Sequence, residues 1–294
     1  MFWLFQNQRS AAEKVLSLLP KFSLPCLILV VVLNSLQILF MAIRLWFLFP
    51  MEHRSKLRNV FAAMSIGQTM NSFFPARAGD FYKLAVLSPK PAKADFTILT
   101  LTGIMAADKL VDLFCFLILI FSFGSYKESL ATFNFSNAEI WKWVLGTLFL
   151  SIFLWYFFLK KRWAKLSQWL FQFFNGLRSL LAPKQLFLSL CFGILVWVAE
   201  AVVLQQLSFY QTYPLTLPEC FFVLIMLNIA IAIPISVANI GPFEASMAFA
   251  LSKLGMPLET ALAVATVHHG LQMVAYLVCG SIGWGLRRWG ASSN

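Results

Sequence analysis

Residues 26–49 read CLILVVVLNSLQILFMAIRLWFLF, a run whose only charged side chain is Arg44. A helix needs about 20 mostly apolar residues to cross the roughly 30 Å hydrocarbon core of a bilayer, and this run has that length. It is expected to remain in the membrane as a signal anchor, with Arg44 near one end snorkelling toward the head groups. No small-x-small cleavage site follows it, so removal as a signal peptide is not expected.

Apolar stretches of this kind recur along the chain. Hydrophobic residues make up 60% of the 294 positions and charged residues only 12%, with a mean hydropathy of +0.77. A soluble core of this size could not hide that much apolar surface, so much of it must face lipid. A transmembrane β-barrel would show segments of about ten residues alternating in polarity, and none appears. The expected fold is an all-α integral membrane protein, a polytopic helical bundle with about six to eight hydrophobic segments.

Reading outward from the first span, residues 1–25 form a mildly amphipathic lead expected to lie at the interface. Leu57–Phe74 is only moderately apolar, carries Ser65, Gln68, Thr69, Asn71 and Ser72, and breaks at Pro75. Phe96–Gly124 is long and apolar but holds Asp108, Lys109 and Asp112 in its middle, and Trp143–Leu159 is a further span. The basic, aromatic stretch 160–184 suits a helix lying on the membrane surface. Leu186–Leu207 follows, with Glu200 inside it; Cys220–Ile233 runs into a break at Pro234; Gly241–Leu254 resumes as a short helix and Leu258–Leu286 is the last span. A pair of short, Pro/Gly-interrupted segments in corresponding halves points to a transporter binding site. The expected organisation is one transmembrane domain over 26–288, with one half at about 26–124, a second at about 143–288 and the interfacial helix 160–184 joining them.

The net charge of +11 does not mark a nucleic-acid binder, because the cations sit in short loops between apolar segments rather than on one soluble face. They act as topology signals and as contacts for anionic lipid. If the segments around Pro75 and Pro234 are re-entrant, the loops 51–93 and 160–184 and the Arg287-Arg288 tail share one side and hold most of the 23 Lys and Arg residues. The positive-inside rule makes that side cytoplasmic. The two re-entrant elements then enter from opposite faces, an inverted repeat. The five cysteines, all in or beside apolar stretches without ligand spacing, read as small buried hydrophobes.

The polar residues in these segments are the candidates for function. In the first break, Pro75, Arg77, Gly79 and Asp80 are followed by Lys83. Proline donates no backbone hydrogen bond and Gly79 can adopt positive φ, so an open backbone is expected. Irregular backbone at membrane depth is tolerated only inside protein or along a wet cavity. Arg77 suits a lipid phosphate as a bidentate partner, with N–H donors of a nearby helix N-terminus assisting; the alternative is an ordinary basic loop that only sets orientation. In the second break, after Pro234 and Ser236, Asn239 and Gly241 suit a turn and Pro242 the first turn of a new helix. Glu244 in that turn either complements the helix dipole or presents a carboxylate to a head-group amine or a proton.

Asp108 and Asp112 share a helix face and require a partner or a cavity; either could neutralise Lys109 or Arg77, or line a transport path. His268 and His269 are adjacent and diverge by about 100°, which disfavours joint ligation of one metal with Glu244 and suits hydrogen-bonded lining residues. Arg44 and Glu200 are weaker candidates of the same kind. No Walker A, Rossmann, G-x-S-x-G or H-E-x-x-H motif is present, so ATP-driven transport and standard hydrolase chemistry lack support, and no catalytic residue, metal or cofactor is expected.

Two of these stretches resemble the flippase-like family of the lysylphosphatidylglycerol synthase transmembrane region, the N-terminal membrane domain of the multiple peptide resistance factor. They are P-x-R-x-G-[DE], here Pro75, Arg77, Gly79 and Asp80 with Lys83 after, and P-x-S…G-x-x-E, here Pro234, Ser236, Gly241 and Glu244. The resemblance extends over roughly residues 26–288 and implies movement of a lipid or lipid-linked head group across a prokaryotic cytoplasmic membrane, with those residues lining the path. No aminoacyl-transferase domain stands in this sequence, so the chain is read as a stand-alone member that is not expected to make lysylphosphatidylglycerol itself and whose expected substrate is open to other lipids. His268-His269 occupy a place where the family leads one to expect an Arg-containing helix. The expected partners are membrane lipids with anionic or phosphate head groups, together with a further copy of the chain or a lipid-modifying enzyme. Two other readings stay open: a membrane-embedded lipid-modifying enzyme using Glu244, Asp108 or His268 as acid or base, and a non-catalytic subunit of such an enzyme.

Overall fold

The computed structural model describes residues 17, 22–74, 77–88, 96–123, 163–231 and 236–292. Nearly all of the expected N-terminal interfacial segment, the span Trp143–Leu159, Pro75 and Pro234 lie outside the described residues. Among those described the chain is helical, without strands. The helices are α1 (Leu24–Leu48), α2 (Leu57–Phe73), α3 (Ala78–Leu87), α4 (Ile98–Phe123), α5 (Trp163–Leu177), α6 (Pro183–Tyr210), α7 (Leu217–Ile231), α8 (Pro242–Lys253) and α9 (Leu258–Ser292).

Local chemistry sets the helix ends. Ser23 caps α1 by accepting the Cys26 N–H, and Pro25 occupies the first turn, where its missing donor costs nothing. Proline also opens α6 and α8. By length and composition α1, α6 and α9 are long and apolar enough to cross a membrane. Their exposed sides present Ile28, Leu29 and Val32 on α1 and Leu277, Val278 and Ile282 on α9, as a lipid-facing surface requires. Helix α4 is equally long and keeps Leu110, Leu113, Phe114 and Leu117 outward, while Asp108 is buried. The amphipathic α5 exposes Trp169, Phe171 and Phe174, consistent with the interfacial helix expected over 160–184.

The order long helix, helical hairpin, long helix occurs twice: α1, α2–α3, α4 and then α6, α7–α8, α9. The two sets interlock, because α1 packs along α6 and α9 packs along α2. Two buried clusters result. One joins the second half of α1 to α2 and α4 through Ile38, Leu45, Ala63, Leu101 and Ile104; the other joins the start of α1 to α6–α9 through Val30, Leu204, Leu224, Met247 and Val264.

The α2–α3 hairpin is closed by a glycine contact. A Cβ on Gly79 would overlap the Gly67 carbonyl, so only glycine permits this approach. The sequence suggested positive φ at Gly79; instead Gly79 is helical and Arg77 takes the left-handed conformation, with φ 53° and ψ 43°. The glycine is needed for space, and the turn is made two residues earlier at a residue with a Cβ. In the second hairpin the turn comprises Ala238, Asn239 and Gly241, with φ of 56°, 57° and 94°.

Candidate functional site

The tips of the two hairpins face a common cavity of about 450 Å³. The first tip contributes Asn71, Ser72, Phe74, Arg77 and Asp80, the second Ser236, Ala238, Asn239 and Phe243. The walls are completed by Gln37 and Met41 of α1, Lys109 and Asp112 of α4, Trp197 and Glu200 of α6, and His269, Gln272 and Tyr276 of α9.

Arg77, Asp80, Lys109, Asp112, Ser236, Asn239 and His269, all singled out from the sequence, thus line one space. Lys83, Asp108, Gly241, Glu244 and His268 stand behind that wall and hold its members. Lys83 is buried and its Nζ lies 2.6 Å from Asp80 Oδ1, while Asn71 donates to the same oxygen at 3.4 Å. Asn71 Oδ1 accepts the Gly79 N–H at 2.8 Å. The Gly79 N–H in the first turn of α3 is therefore taken by the hairpin itself.

Arg44 departs from its sequence reading. Instead of snorkelling, its side chain is 2% exposed and is gripped by both aspartates of α4: Nε lies 2.7 Å from Asp108 Oδ1, Nη2 donates to Asp108 Oδ2 at 3.1 Å, and Nη1 pairs with Asp112. A guanidinium in the core needs charge and hydrogen-bond compensation, and a bidentate carboxylate provides both. Asp108 and Asp112 consequently neutralise Arg44, not Lys109 or Arg77. The close packing of Gly193 beside Cys115 and Arg44, and the Ser189 hydroxyl donating to the Arg44 carbonyl at 3.1 Å, fix the arginine from α6.

In the second half the two histidines diverge onto different carboxylates. His269 Nδ1 lies 2.6 Å from Glu244 Oε1, and its ring stacks on Phe243 with centroids 4.1 Å apart. The other Glu244 oxygen accepts the Gly241 N–H at 2.7 Å, which closes the start of α8. His268 is fully buried with Nε2 3.2 Å from Glu200 Oε1, outside hydrogen-bond alignment, so neither ring nitrogen is hydrogen-bonded among the described residues.

Each carboxylate in this cluster has a cationic or histidine partner, whereas Arg77 and Lys109 on the cavity wall form no ion pair among the described residues. Ser236 Oγ and Gln37 Nε2, also on the wall, have no hydrogen-bond partner there. The arrangement can therefore receive an anionic, hydrogen-bonding group. Sequence reading ranked Glu200 and Arg44 low and passed over Gln37, Asn228, Gln272 and Tyr276. The available signal was i, i+3 and i, i+4 spacing within apolar helices, as in His269, Gln272 and Tyr276.

Over residues 1–280 the chain matches the family model described as the lysylphosphatidylglycerol synthase TM region. Neither a curated protein nor a solved structure matches it.

Proposed function

We propose that this membrane protein, which belongs to the family of the lysylphosphatidylglycerol synthase transmembrane region and so to a family of lipid modification or translocation, moves a phosphate-bearing lipid head group between leaflets. The observation that carries this reading is the pair of cations, Arg77 and Lys109, that form no ion pair among the described residues and stand on the wall of a cavity where two broken-helix tips meet. Arg77 engages the phosphate in bidentate fashion and Lys109 adds a point charge. Ser236 and Gln37 hydrogen-bond the remaining head-group atoms, and the acyl tails stay in the bilayer. The two hairpins serve as opposed gates, the first reached from the cytoplasm and the second from outside, in a prokaryotic cytoplasmic membrane. Transport is passive or driven by an ion gradient rather than by a nucleotide, for which the sequence has no site motif.

Reconstitution into liposomes with fluorescent anionic, zwitterionic and cationic phospholipids, followed by a membrane-impermeant quencher, tests this. Wild type is expected to expose inner-leaflet anionic lipid faster than empty vesicles, and Arg77→Ala to lose that rate. A wild-type rate equal to that of empty vesicles for every lipid rejects the reading.

One observation favours a second reading. The His269–Glu244 pair has the geometry of a general base oriented by a carboxylate, the arrangement a lipid-modifying enzyme would use. Formation of a modified lipid by the purified protein, without transbilayer movement, would select it.

A further inference from the structure

The polar residues of the two halves occupy equivalent places with different chemistry. Asp108 and His268 each stand ten residues beyond their helix starts, Ile98 and Leu258, and each meets the long helix that opens its half, through Arg44 on α1 and Glu200 on α6. The next residues, Lys109 and His269, face the cavity and lie within electrostatic reach of an acidic residue at the third position of a short helix, Asp80 on α3 and Glu244 on α8. Where the first half holds fixed charges, the second holds two imidazoles, each facing a carboxylate, His268 at Glu200 and His269 at Glu244.

The charge of the whole cluster depends on those rings. Arg44, Arg77, Lys83 and Lys109 stand against Asp80, Asp108, Asp112, Glu200 and Glu244, four cations against five anions. With neutral histidines the cluster carries −1, and with both protonated it carries +1. The elements packed on α9 are α1, α2, α6 and α8. Their ionisable side chains are Cys26 and Arg44 on α1, Arg58 on α2, Lys184, Cys191, Glu200 and Tyr210 on α6, and Glu244 and Lys253 on α8. Of these, Glu200 and Glu244 pair with the histidines, and Tyr276 lies on the same helix about two turns away.

We propose that His268 and His269 form a proton-binding site coupled to head-group occupancy, so that an anionic head group takes up protons on entering the cavity. This rests on the translocation reading above. Protonation completes two ion pairs, Glu200–His268 and Glu244–His269, and moves the cluster from −1 to +1, which adds to the attraction of Arg77 and Lys109 for a phosphate. The second pair also holds the tip of α8 on α9, which couples proton occupancy to the position of the second hairpin.

Calorimetric titration of the purified protein with phosphatidylglycerol in mixed micelles, in two buffers of different ionisation heat, reads the proton uptake directly. The expected result is a heat that differs between the two buffers in the sense of proton uptake, with affinity falling as the pH is raised, by up to about tenfold per pH unit for each linked proton. His269→Gln is expected to remove its share of the uptake, and Glu200→Gln that of His268. Because the wild-type heats suffice, the test survives misfolding of a buried variant. Binding with equal heats in both buffers overturns the proton site and leaves translocation standing. If phosphatidylglycerol does not bind at any pH, the coupling is overturned; if the liposome assay is also flat, translocation is rejected with it.

Discussion

Glu244 ties two elements together with its two oxygens: one meets His269 Nδ1 of α9 at 2.6 Å, and the other accepts the Gly241 N–H at the start of α8 at 2.7 Å. The carboxylate therefore both begins the short helix and fastens the second hairpin tip to the bundle. Neither task alone would explain its position, since a helix cap needs no partner on α9.

Glu244→Gln keeps the shape but removes the charge that serves both contacts. The expected loss of a cap-strength interaction, about 1 kcal/mol, corresponds to roughly fivefold faster amide exchange at the start of α8. Hydrogen-exchange mass spectrometry over 236–245 checks this, with the α2–α3 hairpin unchanged.

Arg77→Ala should separate function from stability. Its side chain is exposed at the cavity and pairs with nothing among the described residues, so stability is expected to change by no more than about 0.5 kcal/mol. Phosphate head-group binding is expected to weaken roughly ten- to hundredfold, as befits a lost charge-assisted hydrogen bond. Thermal unfolding and lipid titration on the same preparation measure both.

Arg44→Met has the opposite profile. It leaves Asp108 and Asp112 without their cation in a buried setting, at an expected cost of about 3–5 kcal/mol. The triple variant Arg44→Met, Asp108→Asn, Asp112→Asn removes all three charges and is expected to recover part of that loss in detergent melting experiments.

Gly79→Ala places a methyl group against the Gly67 carbonyl, a backbone atom that cannot swing aside. The α2–α3 hairpin must open to admit it, with an expected cost of about 1–3 kcal/mol. Ala78→Gly, one residue away and outside that contact, is the control for a local helix effect, about 1 kcal/mol at most.

The legibility of the molecule follows its interaction distances. Apolar runs, prolines and turn residues act over a few neighbours, and from them the all-α membrane fold, both helix breaks and the turn at Asn239 and Gly241 could be read. Arg44 could not, because its partners lie 64 and 68 residues away and only packing of α1 on α4 brings them near. The same holds for Glu200 and His268, placed together by α6 and α9. Gly79 was noticed for the wrong reason: composition signals a permissive residue but does not tell a turn from a close contact.

If the head group travels through the space between the hairpin tips, reversible obstruction of that space stops its movement. Ser72, on the cavity wall, is changed to cysteine, while the native Cys26, Cys115, Cys220 and Cys279 are buried, Cys191 is half-buried, and the unsubstituted protein, labelled in the same way, serves as control. After reconstitution, Ser72→Cys is labelled with a bulky thiosulfonate and lipid movement is followed with the impermeant quencher. The predicted result is a fall to the rate of empty vesicles, full recovery on reduction, and no effect on the control. Complete labelling by mass spectrometry with an unchanged rate would contradict the claim.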